Sequence, residues 1–167
     1  MLQLILLFVS SLFSSPDENI ILIRNQYYLA SKDSKEAEAF YEKLSSANEK
    51  NPLMLGYRGM SEFISAKYAY NPYSKMNFFK KGKEYLEKSI QLDPKNPELR
   101  WLRFSVQSNA PSFLNYNSNL EEDKLILIKV LLKQLKVDAD LQKRIYDFLL
   151  QSPDFTSEEK EKFKKAK

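Results

Sequence analysis

Two matching stretches limit the folds open to this chain more than any other feature. Residues 37–52, AEAFYEKLSSANEKNP, align without a gap on residues 82–97, GKEYLEKSIQLDPKNP, at a constant offset of 45. Glu42-Lys43 falls on Glu87-Lys88, and Lys50-Asn51-Pro52 falls on Lys95-Asn96-Pro97. Phe40 meets Tyr85, Tyr41 meets Leu86, and small Ala37 meets small Gly82. A repeat of roughly 20–50 residues indicates stacked units, because one helical hairpin cannot bury its apolar face alone.

The second copy shows why such a unit is helical. Phe78, Phe79, Gly82, Tyr85, Leu86, Ser89 and Ile90 recur at steps of three and four, which places them on one helix face. Gly82 and Ser89 are small on that face and predict close approach of a neighbouring helix. Pro94 cannot donate the hydrogen bond that a continuing helix needs, so this helix stops near Leu92. Asn96 then suits an N-cap and Pro97 the first helical position of the next helix, and Asn51-Pro52 repeats the device. Only Gly56, Gly59 and Gly82 supply glycine, too few for the tight turns of a strand-rich fold. The fold class is therefore all-α.

The same periodicity predicts helices near residues 18–31, 34–48, 53–70, 76–92, 98–108, 120–136 and 138–151. No low-complexity linker divides them, so residues 16–155 are read as one helical domain. Residues 156–167 form a basic tail helix: Thr156 and Glu159 have capping-box spacing, and Phe163 is the only large apolar anchor. That single anchor predicts a loosely docked tail.

Over about residues 34–108 the chain resembles the tetratricopeptide repeat family. Gly82, Leu86, Ser89 and Asp93-Pro94 match the small, large, small and terminating positions of that family's second helix. Ala37, Tyr41 and Leu44 occupy the corresponding places in the first copy. The spacing of 45 departs from the family's usual repeat of about 34. The resemblance implies a right-handed superhelix of αα-hairpins, here with additional C-terminal helices, and a protein or peptide partner held in a groove lined by the first helix of each hairpin. It places Arg100, Trp101 and Arg103 on such a first helix as candidate partner contacts. Phe113 and Tyr116, in the 11-residue connection 109–119, are read either as a recognition edge or as a plug on the stack.

Composition removes several kinds of chemistry. The chain has no Cys and no His, hence no disulfide, no thiolate nucleophile and no imidazole base or ligand. No catalytic residue, metal ligand or cofactor is nominated, and the expectation is a non-enzymatic adaptor or scaffold. The run Glu121-Glu122-Asp123 is read as complementing a helix dipole, since consecutive helical side chains diverge. Lys75, Lys80, Lys81, Lys83 and Lys88 alternate with Phe78, Phe79 and Tyr85, but helical spacing turns the rings inward and the lysines outward. This is read as a solvated face, and nucleic acid is not expected as a partner. The net charge is +4, and its basic part is residues 52–116, where ten basic and five acidic groups give +5.

Residues 1–15, MLQLILLFVSSLFSS, have the length and apolarity of a secretory signal peptide, with cleavage expected after Ser14. An extracytoplasmic location follows: periplasm, cell envelope or secreted. Retained, the segment would tether the protein to a membrane surface; packed as a core helix, it would leave the protein cytoplasmic. Self-association is a further way to cover the exposed faces of a short array.

Overall fold

A computed structural model describes residues 16–166, in which the chain is helical throughout apart from its connections. The expectations for residues 1–15 lie outside the described residues. The helices are α1 (Pro16–Ala30), α2 (Ser34–Ser45), α3 (Pro52–Tyr68), α4 (Pro72–Leu92), α5 (Pro97–Gln107), α6 (Leu120–Leu131), α7 (Ala139–Gln151) and α8 (Ser157–Ala166). Consecutive helices pair as hairpins, α1 with α2, α3 with α4, α5 with α6 and α7 with α8, and neighbouring hairpins touch through α2–α3, α4–α5 and α6–α7. First helices also meet directly, α1 with α3 and α3 with α5.

Asn-Pro pairs start three of these helices. The side chains of Asn51 and Asn96 each accept from two backbone N–H groups of the following turn, and Pro52 and Pro97 open α3 and α5. Asn71-Pro72 starts α4 in the same way, with Asn71 accepting from the Ser74 N–H, so α4 begins four residues ahead of the expected 76. At the other end, α6 stops at Leu131 rather than near 136. Lys133 adopts a left-handed conformation with φ of 58°, and the N–H groups of Gln134 and Leu135 turn back to the carbonyl of Lys129.

The α3–α4 pair is the tightest in the fold, and its small residues explain it. A Cβ on Gly59 would lie 2.9 Å from the carbonyl oxygen of Gly82, and one on Gly82 would lie 3.0 Å from that of Gly59. One turn away, a Cβ on Gly56 would reach within 3.3 Å of the Ser89 hydroxyl. The small positions read on α4 thus face the two glycines of α3, and backbone packs against backbone.

The core runs the length of the stack, from Ile23, Phe40 and Tyr57 through Leu86, Leu102 and Phe104 to Leu127, Ile145 and Leu149. It also takes in the tail. Phe163 is buried against Phe155, with ring centroids 5.7 Å apart, and the Thr156–Glu159 capping box forms in both directions. The expectation of a loosely docked tail is corrected: Phe155, just before α8, supplies the second anchor that Phe163 needed. No helix among the described residues is long and apolar enough to cross a membrane.

Candidate partner-binding cleft

Two buried ionic clusters position the surfaces around α5. The first centres on Arg24 of α1, whose side chain is only 2% exposed. Its Nε and one terminal nitrogen donate to Glu98 at 2.7 Å each, and its terminal nitrogens reach Asp138 at 2.8 Å and Asp140 at 3.0 Å. The Tyr57 hydroxyl completes the cluster by donating to Glu98 at 2.6 Å. Burial opposes the charge on Arg24, but the surrounding carboxylates outweigh it and raise its pKa. The Arg24 hydrogen bonds in turn hold Asp138 below the usual carboxylate range. At Asp140 burial acts upward, yet the hydrogen bonds from Arg144 and Arg24 prevail and the net shift is downward. The cluster joins the first hairpin to the fourth, across more than a hundred residues of sequence.

The second cluster lies on the opposite side of α5. Arg103 clasps the fully buried Asp123 of α6 with two hydrogen bonds, 2.7 and 2.9 Å, and reaches Glu87 of α4 at 3.0 Å. Arg100 donates to Asp123, to Glu122 and to the carbonyl of Pro94. The Tyr116 hydroxyl donates to Glu87 at 2.6 Å, and burial, reinforced by that carboxylate, raises its pKa. Adjacent Glu122 and Asp123 therefore act together, which divergent helical directions do not lead one to expect. The long, forked guanidinium of Arg100 spans both. Asp123 adds to the dipole role of its turn a structural role in pairing α5 with α6.

Beside the Arg24 cluster, with which it shares Asp140, the first helices leave a cleft of about 630 Å³, walled by α1 and α7 and floored by α5. Tyr27, Trp101 and Phe148 form the aromatic floor. Tyr27 and Trp101 stand edge to face at 6.2 Å, as do Trp101 and Phe148 at 6.5 Å. The indole N–H of Trp101 has no acceptor among the described residues. Half-exposed Tyr28 forms part of the α1 wall, while Arg144 on α7 ties the walls together by donating to Asn25 at 2.6 Å. The charged groups of the α7 wall are paired, Arg144 with Asp140 and Lys143 with Asp147, so the cleft carries little net charge.

The five candidate residues thus divide among four places. Trp101 lines the cleft. Arg100 and Arg103 turn away from it into the α5–α6 interface, where carboxylates occupy both guanidiniums. Tyr116 is a plug, buried against Phe63 and Phe79, whereas Phe113 stands 73% exposed on the short 3₁₀ turn Ser112–Leu114. Sequence reasoning missed Tyr27, Tyr28 and Phe148. The signal was the alternation of first and second helices, which carries outward from the repeat to α1 and α7. No family model, no curated protein and no solved structure matches the chain.

Proposed function

We propose that the chain is a non-enzymatic adaptor or scaffold of tetratricopeptide-repeat type, its hairpins wound as a right-handed superhelix, which holds a protein or peptide segment in the α1–α5–α7 cleft. The observation that carries this reading is the cleft itself: an aromatic floor on the first-helix side, where a repeat of that type holds its partner. With the wall charges paired, shape and apolar contact against the aromatic floor select the partner.

Trp101 is the only tryptophan in the chain, so its emission reports on the cleft directly. Peptides selected from a random library on the intact protein are expected to shift that emission in proportion to binding. Tyr28→Glu, which places a charge on the exposed wall without disturbing the core, is expected to weaken them at least about tenfold, or 1.4 kcal/mol. Selected peptides that leave Trp101 emission unchanged and tolerate Tyr28→Glu would move the site elsewhere.

Residues 1–15 support the second half of the proposal, an exported protein of the periplasm or cell envelope. The mass of the chain recovered from its own cells tests it. A mature chain beginning at Ser15 is expected; a chain still carrying the apolar segment would favour a membrane-tethered protein instead.

A further inference from the structure

The longest hairpin carries a second surface, independent of the cleft. Residues 63–83 contain Lys67, Lys75, Lys80, Lys81 and Lys83 and no acidic residue. They form the end of α3, the Asn71-Pro72 turn and the first half of α4. At the tip, Tyr70 is fully exposed, Tyr73 is 84% exposed, and Met76 is exposed beside them. Phe78 and Phe79, by contrast, fold inward, against Tyr41 and Phe63 respectively. The tip is therefore aromatic and basic: all five lysines are solvent-exposed and no carboxylate lies within the stretch, although Lys67 also donates to the Ser31 carbonyl and Lys81 acts on Glu62 just before it.

We infer that the α3–α4 tip docks on an anionic lipid bilayer, with Tyr70, Tyr73 and Met76 entering the headgroup region and the lysines lying against the lipid phosphates. Tyrosine and lysine are suited to that boundary, each with an apolar body and a polar end that stays wet. Each lysine near an anionic membrane contributes about a fivefold gain in partitioning, within a Debye length of roughly 8–10 Å. Lys67 and Lys75 flank the tip, and Lys83 lies about 12 Å farther along α4 than Lys75, so attraction concentrates at the end of the hairpin. A nucleic acid fits less well. The tip offers no arginine fork for phosphate, since Arg58, the arginine of α3, stacks on Tyr85 and pairs with Glu49.

The chain lacks cysteine, so a single introduced thiol can carry a polarity-sensitive fluorophore at a chosen place. The full chain, labelled at Tyr70→Cys, is titrated with phosphatidylcholine vesicles and with mixed phosphatidylcholine–phosphatidylglycerol vesicles. Leu92→Cys, exposed at the far end of α4, serves as the second label position. The expected result is a blue shift at position 70 on the mixed vesicles alone, with none at position 92. Combining Lys67→Gln with Lys75→Gln should weaken partitioning roughly 25-fold. Binding without a shift at position 70, as insertion of residues 1–15 alone would give, overturns the inference. So does equal response to both vesicle types, or a shift with single-stranded DNA and none with vesicles.

Discussion

Replacing Arg24 by methionine is expected to cost about 3–5 kcal/mol of folding stability at neutral pH, the usual loss when one partner of a buried ion pair is removed. Methionine keeps much of the volume but leaves Glu98 buried, with the Tyr57 hydroxyl as its remaining side-chain donor, beside Asp138 and Asp140. For a domain of this size the melting temperature should fall by roughly 6–20 °C. The pH dependence identifies the cause. Asp138 and Asp140 have depressed folded pKa values, so their contribution is present above the unfolded carboxylate value near 4 and is lost as pH falls through the folded values. Denaturant unfolding of both proteins at about pH 7 and about pH 3 should therefore show the gap narrowing in acid. A gap that is small at neutral pH, or constant across this range, would mean that the cluster does not hold the hairpins together.

Asp123→Asn is the second large effect, again about 3–5 kcal/mol, and it acts on a different interface. The carboxylate is fully buried and accepts from Arg100 and twice from Arg103. Burial works against the charge on Arg103 and Asp123 is the chief neighbour that offsets it, while a guanidinium does not shed its proton, so the variant leaves that charge buried without its main partner. An asparagine retains the shape, supplies one weaker acceptor and turns an N–H donor toward the guanidiniums. Glu122→Ala is the internal control: that side chain is 55% exposed, and its loss should cost under about 1 kcal/mol. Equal losses for the two variants, read by thermal or chemical unfolding, would deny Asp123 its role in pairing α5 with α6.

Local physics made much of the helical order legible. Asn51-Pro52 and Asn96-Pro97 were readable because an N-cap and a proline at the first helical position act within four residues. Asn71-Pro72 carries the same signal, but it lies outside the matched stretches, and the expected start at 76 missed it. The early end of α6 was not readable, since its sequence stays apolar and helix-forming through Leu135 while the structure turns at Lys133.

The site was legible only in part, for a reason of distance. Trp101 could be placed on a first helix from the repeat. Whether Arg100 and Arg103 faced a groove or a neighbour depended on Asp123 and Glu87, sixteen to twenty-three residues away on other helices. Arg24 gave no sign at all. Its carboxylates lie 74, 114 and 116 residues away, and nothing in PDENIILIRNQYYLA marks its one arginine as buried.

Closure of the first hairpin onto the fourth is what sets the two walls of the cleft, and a double-mutant cycle between Arg24 and Asp138 measures it. Unfolding free energies of the parent, Arg24→Met, Asp138→Ala and the double variant separate this contact from the helix cap that Asp138 also provides to Leu141. The two residues are expected to be coupled by at least about 1 kcal/mol. Additive losses would show that α1 and α7 do not meet in solution, and the cleft between them would not stand.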